Sequence, residues 1–114
     1  EAPNVLHYAP GEKYDLHYDF LDPANPHFKE GLSKYGQRRT TALIYLNQDF
    51  MEGQTWFDAI QKTARTPAGG LIAFDNVLRD GSPDKRTLHA GLPTTLGEKW
   101  LLSVWIRDRD QPIL

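Results

Sequence analysis

Short segments rich in β-branched and aromatic residues recur along the whole 114-residue chain, and turn-forming residues separate them. This pattern predicts strands at residues 5–8, 13–18, 40–46, 55–57, 70–74, 87–92 and 99–106. Clusters of Gly, Pro, Asn and Asp between them, such as the one at residues 80–84, are typical of loops. Many short strands with such connections indicate an all-β fold of the sandwich or jelly-roll type.

Two segments, residues 28–35 and 57–62, compete with the all-β interpretation. Both are short and weakly periodic, so we predict single helical turns on loops rather than a helical layer. Residues 92–97 are predicted to form a loop. The chain shows no internal repeat, and its length favours one domain over residues 1–114.

The composition excludes several classes of protein. With 39% hydrophobic and 25% charged residues, the chain is typical of a globular domain and not of a disordered one. A formal net charge of −2 argues against a nucleic-acid partner or a polybasic membrane surface. No apolar stretch approaches the ~20 residues that span a bilayer, and the polar N-terminus does not resemble a signal peptide. We therefore expect no membrane partner and a cytoplasmic location.

The chain contains no cysteine, which excludes disulfides, thiolate nucleophiles and cysteine-ligated metals. A nitrogen-anchored metal site must then use the four histidines, together with carboxylates. These histidines are His7, His17, His27 and His89. His7 precedes Tyr8 and is expected to face away from any site on that tyrosine's side, while His27 lies in a Pro-rich loop and is expected to be solvated.

The tripeptide His17-Tyr18-Asp19 puts an imidazole and a carboxylate two residues apart, so that on a strand both point to one side. His89, in a later strand, can supply a third ligand. Two histidines and one carboxylate form the facial triad of non-haem iron(II) oxygenases, which leaves coordination positions open. The tripeptide alone is a weak signal, because a strand histidine bonded to a backbone carbonyl is more common.

Strand alternation in residues 99–107 puts the cationic side chain of Lys99 on a face that otherwise looks interior. A lysine on an interior face needs an anionic partner, and the carboxylate of a small ligand that also chelates a metal would serve. The alternative is a solvated edge-strand lysine. Arg38 and Arg39 are expected to be solvated charges, with a role in contacting substrate as the alternative. The two predicted interior faces carry Thr41, Leu43 and Tyr45 in one strand, and Lys99, Leu101, Ser103 and Trp105 in the other.

Six stretches in order along the chain resemble one family. They are NVLHYAPGEKYDLHYDF (residues 4–20), RTTALIYLN (39–47), GQTWF (53–57), GLIAF (70–74), HAGLP (89–93) and GEKW (97–100). Together they resemble the prolyl 4-hydroxylase-type iron(II)/2-oxoglutarate dioxygenases over nearly the whole chain. Two departures, Gln54 in place of a usual Glu and Asp58 in place of a frequent Pro, bear on substrate identity rather than on the ligands.

The resemblance implies a double-stranded β-helix that holds Fe(II) through His17, Asp19 and His89. It implies that Lys99 and Tyr45 bind the distal carboxylate of 2-oxoglutarate, that Tyr8 lies beside the metal and cosubstrate, and that Trp105 lines the substrate pocket. Residues 1–114 would be the catalytic core of a longer domain whose N-terminal elements are missing. An ascorbate requirement is a further expectation from the family.

The activity implied is hydroxylation of an unactivated C–H bond, at C4 of a peptidyl proline, with dioxygen consumed and succinate and CO2 released. The expected partner is a peptide or protein that contains proline. Two alternatives remain open from the sequence. One is a metal-dependent hydrolase that uses the same His/Asp/His set, and the other is a non-catalytic jelly-roll binding module.

Overall fold

The computed structural model describes residues 1–109 and shows a mostly β architecture. The strands are β1 (Asn4–Tyr8), β2 (Tyr14–His17), β3 (Arg38–Tyr45), β4 (Met51–Glu52), β5 (Thr55–Phe57), β6 (Lys62–Ala64), β7 (Leu71–Asp75), β8 (His89–Gly91), β9 (Thr94–Leu96) and β10 (Lys99–Arg107). A helix α1 (Lys29–Tyr35) follows a 3₁₀ turn at Pro26–Phe28, and a second 3₁₀ turn covers Lys85–Thr87. None of the helices in the described range is long and apolar enough to cross a bilayer.

The major sheet has the antiparallel order β1-β10-β3-β7. Its two long central strands pair Leu101 with Tyr45 and Ser103 with Leu43. Burial alternates along both strands, and the buried faces are the two that the sequence predicts. Alternation of this kind follows from the period of two in a strand, since one face packs on the core.

The minor sheet has the order β2-β8-β5-β6, and a two-stranded ribbon joins β4 to β9. The inner face of the major sheet packs around a small core of Tyr8, Leu43, Tyr45, Phe50 and Leu101. The two antiparallel four-stranded sheets form the jelly-roll core that the sequence predicts. A cavity lined by strands of both sheets lies between them.

Three local predictions differ from the structure. Residues 57–62 form the end of β5, a tight turn and the start of β6, because β5 pairs with β6 as a hairpin. The predicted loop at residues 92–97 contains β9, because this segment pairs with β4 as an antiparallel strand. Residues 28–35 form more than a single turn, since α1 has seven residues and ends at Gly36, whose φ of 78° is readily adopted by glycine.

The buried leucine of β10 should contribute more to the free energy of unfolding than an exposed leucine does. Leu101 is 4% exposed and Leu96 is 64% exposed. Leu101→Ala is expected to lower the free energy of unfolding by about 2–5 kcal/mol, because it removes buried methyl groups and leaves a cavity. Leu96→Ala should change it by less than about 0.5 kcal/mol. Urea denaturation of both variants measures the difference, and equal losses would contradict this packing.

Candidate functional site

Two histidines and one aspartate converge in the cavity between the sheets. His17 ends β2 and His89 begins β8, and the strand register pairs them directly. Their ring centroids are therefore 4.2 Å apart. Asp19 follows His17 by two residues, with its Oδ1 3.2 Å from His17 Nε2 and its Oδ2 3.6 Å from His89 Nε2. One ligand atom from each of the three residues lies within 4.8 Å of the others.

Both imidazole rings are oriented by backbone carbonyls. His17 Nδ1 lies 2.7 Å from the carbonyl oxygen of Asp15, and His89 Nδ1 lies 2.7 Å from that of Thr87. A carbonyl oxygen can only accept, so in each neutral ring Nδ1 carries the hydrogen and the Nε2 lone pair faces Asp19. Metal-binding histidines are oriented in this way.

Burial and mutual contacts set the charges of the three side chains. Burial raises the pKa of Asp19, but its contacts with His17, His89 and the hydroxyl of Thr41 together lower it to about 2. Burial lowers the pKa of His89, against the opposing effects of Asp19 and the Thr87 carbonyl. For His17, burial is outweighed by Asp19 and the Asp15 carbonyl, so its pKa is raised. Asp19 is thus an anion, and the His89 imidazole is neutral, at neutral pH.

Lys99 points into the same cavity from the first position of β10, opposite Tyr8. Its side chain is almost completely buried, and Nζ donates to the Gly53 carbonyl over 2.8 Å. Nζ also lies 4.7 Å from the centroid of the Tyr8 ring. Burial, followed by repulsion from Arg65, lowers the pKa of Lys99 to about 8. Among residues 1–109, no carboxylate forms an ion pair with it.

The Gly53 carbonyl reaches Lys99 because the backbone turns sharply there. Gly53 has a φ of 67°, and a Cβ at this position would lie 2.9 Å from Thr94 and 3.0 Å from Phe50. Gly91 also lies beside the ammonium: a Cβ there would be in ordinary van der Waals contact with Lys99 Nζ, at 3.8 Å. Both glycines therefore shape the surroundings of the lysine.

The cavity has a volume of about 350 Å³. The His/Asp/His group and the lysine both contribute to its wall, so a molecule within the cavity can touch both. Of the residues singled out from the sequence, the lining includes Tyr8, His17, Asp19, His89, Lys99 and Trp105.

Tyr45 is placed differently from these residues. It is fully buried in the core and is not part of the cavity lining. Its hydroxyl is 2.9 Å from Thr55 Oγ1 and 3.3 Å from the Ala64 carbonyl. Thr55 does line the cavity, so Tyr45 reaches the cavity through the hydroxyl of Thr55 in this structure.

Arg38 is part of the site rather than a freely solvated charge. Its guanidinium stacks over the Trp105 ring at 4.2 Å from the centroid and makes a bidentate pair with Glu1. It also donates to the Asp19 carbonyl over 3.3 Å and lines the cavity. The sequence prediction of a solvated charge is wrong for Arg38, because the packing of β3 against β10 could not be read from one arginine.

His7 lies outside the site, as strand alternation predicts. It is exposed, stacks on Trp100 with ring centroids 4.3 Å apart, and has its Nε2 3.2 Å from Glu98. The sequence did not reveal Thr55, Tyr14 or Thr41 as site residues. Thr41 lies on the same predicted strand face as Tyr45, and this shared face was the one indication that Thr41 belongs to the site. Tyr14 and Thr55 lie inside the family-like stretches, but their residue types alone do not indicate a site.

The sequence profile of the 2OG-Fe(II) oxygenase superfamily matches residues 3–107. This match covers almost the whole chain, and the His/Asp/His geometry lies within it. The chain therefore belongs to the 2OG-Fe(II) oxygenase superfamily, where 2OG is 2-oxoglutarate.

Named relatives and a solved structure agree with this assignment. A protein of Acanthamoeba polyphaga mimivirus that carries a prolyl 4-hydroxylase name is 33% identical over 110 residues, which cover 96% of this chain and 46% of the relative. Prolyl 4-hydroxylase 2 of Arabidopsis thaliana is 31% identical, over 93% of this chain and 41% of the relative. The chain thus spans less than half the length of these two relatives.

The crystal structure of viral collagen prolyl hydroxylase from Paramecium bursaria Chlorella virus-1 in its 2OG complex has a TM-score of 0.72 to this chain. The two are 30% identical, and the likeness covers 96% of this chain and 63% of that one. The similarity therefore extends over the sheets that carry the cavity.

Removal of one imidazole should distinguish site histidines from surface histidines. His89→Ala is expected to weaken Co²⁺ binding by at least about tenfold, because one of three ligand side chains is lost. His7→Ala, the matched control, should bind Co²⁺ like the unmodified chain, since His7 lies on the outer surface. Isothermal titration of both variants gives the two dissociation constants. Loss of binding in His7→Ala alone would contradict the site.

Proposed function

We propose that this chain is the catalytic core of a 2OG-dependent dioxygenase that hydroxylates C4 of a peptidyl proline. The observation that carries the proposal is the placement of two features in the wall of one cavity. They are the His/Asp/His group and a buried ammonium that has no ion-pair partner among residues 1–109. A ligand with a metal-chelating end and a distal carboxylate matches both features. Bound Fe(II) and 2OG would supply the oxidation, with one oxygen atom of O2 entering the C–H bond and the other entering succinate as CO2 is released.

The residues present fit a divalent iron ion. His17 and His89 would each donate Nε2, and Asp19 would donate a carboxylate oxygen. Nitrogen and oxygen donors in a two-histidine, one-carboxylate set are those of non-haem Fe(II) oxygenases, and three protein ligands leave positions open for other molecules. The hydrogen bonds from each Nδ1 to a backbone carbonyl would keep both rings in the ligating orientation.

Lys99 would hold the distal carboxylate of 2OG. Its ammonium has three N–H donors, and the Gly53 carbonyl is its one hydrogen-bond acceptor among residues 1–109. A buried cation without an anion is costly, so a carboxylate beside Nζ would relieve that cost. Thr55, supported by Tyr45, would offer a hydroxyl on the cavity wall, and Gly91 leaves room next to the ammonium.

The substrate would approach past aromatic groups on the cavity wall. Tyr14 is 46% exposed and packs against the His17 ring at 4.1 Å between centroids, while Trp105 carries the Arg38 guanidinium on its face. A proline ring is a compact apolar group that such surfaces accept. The prolyl hydroxylase names of the relatives support the choice of proline.

Each of the two alternatives leaves one feature of the site without a role. Hydrolysis at the His/Asp/His group would give Lys99 no role, although burial of this cation is costly. A binding module without metal would give no reason for two imidazole Nε2 atoms to face one carboxylate. Dioxygenase chemistry accounts for both features.

Binding of 2OG is expected to depend on the charge of Lys99. The dissociation constant should rise about fivefold between pH 8 and pH 9, because the protonated fraction of a group with a pKa of about 8 falls from about one half to about one tenth. Lys99→Met, which keeps the apolar stem, should weaken 2OG binding by about 2–5 kcal/mol and leave Co²⁺ binding unchanged. Anaerobic calorimetry on the Co²⁺-loaded protein measures both. Equal weakening of metal and 2OG binding would contradict the role of Lys99.

The reaction is tested with proline-containing peptides, Fe(II), 2OG and O2. The expected result is one added oxygen atom per modified proline, located at C4 by fragmentation and NMR, with one succinate formed per hydroxyl group. Asp19→Ala should abolish turnover because the anionic ligand is lost. Succinate formation without peptide oxidation would overturn the choice of proline and leave the dioxygenase class intact. Full activity of Asp19→Ala would overturn the metal site.

A further inference from the structure

Two neutral, fully buried side chains form a hydrogen-bonded chain that ends on the carboxylate of Asp19. Thr41 Oγ1 donates to Asp19 Oδ2 over 2.8 Å, and Asn76 Nδ2 donates to Thr41 Oγ1 over 2.8 Å. Thr41 and Asn76 are both 0% exposed, and Asp19 is 5% exposed. Water therefore does not compete for these hydrogen bonds, and each is stronger than it would be at the surface.

The direction of the two hydrogen bonds follows from the groups available. An ionised carboxylate only accepts, so the Thr41 hydroxyl hydrogen goes to Asp19 and the Thr41 oxygen is left as an acceptor. Only the NH2 side of the Asn76 amide can donate to that oxygen. The opposite amide orientation would place two acceptors against one hydroxyl hydrogen. In this orientation Asn76 Oδ1 is buried and has no hydrogen-bond partner among residues 1–109, which costs free energy of folding.

The consequence for Asp19 is that its two oxygens become different. Oδ2 accepts the hydroxyl of Thr41 and lies 3.6 Å from His89 Nε2, whereas Oδ1 lies 3.2 Å from His17 Nε2 and accepts no such hydroxyl. A carboxylate held in this way offers one oxygen to a metal and keeps the other in a hydrogen bond. A single-oxygen ligand leaves more of the coordination sphere for a chelating cosubstrate.

The backbone of Asn76 is also linked to His89, through hydrogen bonds of Asp84 and Thr87. Its backbone carbonyl accepts from Asp84 N over 2.9 Å, and the Asp84 carbonyl accepts from both N and Oγ1 of Thr87 at 3.1 and 2.8 Å. The Thr87 carbonyl in turn holds His89 Nδ1. The backbone N–H of Asn76 is fixed by the Arg39 carbonyl over 2.7 Å. One buried residue thus connects to a ligand through its side chain and to another ligand through its backbone.

We propose that Thr41 and Asn76 are positioning residues that hold Asp19 as a single-oxygen metal ligand. The inference rests on the proposed function, since it assigns these residues to the same metal site. Neither residue lines the cavity. Both act through the carboxylate, so their effect should be seen in metal binding and in the coordination spectrum before any reaction takes place.

The test uses Co²⁺ as a probe and three variants of the chain. Thr41→Val keeps the shape and removes the hydroxyl, Asn76→Asp keeps the shape and replaces the donor by an acceptor, and Thr41→Ser keeps the hydroxyl. Thr41→Val and Asn76→Asp are expected to weaken Co²⁺ binding about ten- to one-hundred-fold and to change the ligand-field absorption spectrum. Thr41→Ser should retain the affinity and spectrum of the unmodified chain.

Thr94→Val is the matched control for buried threonine. Thr94 is 1% exposed, and its hydroxyl donates to the Ala9 carbonyl, away from the His/Asp/His group. We expect this variant to lose stability in urea without a change in Co²⁺ affinity or spectrum. If Thr94→Val weakens Co²⁺ binding as much as Thr41→Val does, the effect is structural and the positioning role is overturned.

The remaining outcomes separate this inference from the proposed function. Wild-type affinity and spectrum in both Thr41→Val and Asn76→Asp would overturn the positioning role, whatever the reaction. If the unmodified chain binds no Co²⁺, the metal site of the proposed function fails and the positioning role fails with it. If the expected pattern is found but no peptide is hydroxylated, the positioning role stands and the proposed reaction is wrong.

Discussion

Burial of two opposite charges in the wall of one cavity is the constraint on which the rest of this structure depends. Asp19 is 5% exposed and Lys99 is 1% exposed, and they form no ion pair with each other. Each charge is costly to remove from water unless a partner compensates for it. Asp19 accepts the hydroxyl of Thr41 and lies beside His17, whose pKa it raises. Among residues 1–109, Lys99 has one carbonyl and aromatic faces around its ammonium. An anion bound in the cavity beside Lys99 would therefore compensate for the buried ammonium.

The jelly roll brings these charges together by strand register. Pairing of β2 with β8 sets His17 against His89, and pairing of β1 with β10 sets Tyr8 against Lys99. The two sheets then face each other across the cavity. Local precision comes from short contacts between backbone and side chain, such as the carbonyls that hold each histidine Nδ1 and the Gly53 carbonyl that holds Lys99.

Much of this arrangement could be predicted from the sequence. Alternation in β3 and β10 gave the correct buried faces, because a strand with one packed face must alternate. The spacing of His17 and Asp19, together with family-like stretches in order, predicted the group of three residues that the structure brings together. Their action as ligands stays a prediction, as do the roles of Lys99, Tyr45, Tyr8 and Trp105.

Other features depend on contacts between distant segments and left little or no local signal. Asn76 follows a strand as many asparagines do, and only the pairing of β3 with β7 brings it to Thr41. The sequence predicts a solvated charge at Arg38 because its stacking partner, Trp105, lies 67 positions later in the chain. The hairpin between β5 and β6 was missed because its tight turn resembles one turn of helix in composition.

The central claim is that one cavity binds a metal through His17, Asp19 and His89, and a chelating dicarboxylate through Lys99. Its most direct test is an anaerobic titration of metal-free protein with Fe(II) and then 2OG, followed by visible absorption. A charge-transfer band that needs both additions, and that forms at much higher 2OG concentration in Lys99→Ala, is the predicted result. Iron binding without such a band at saturating 2OG would contradict the claim.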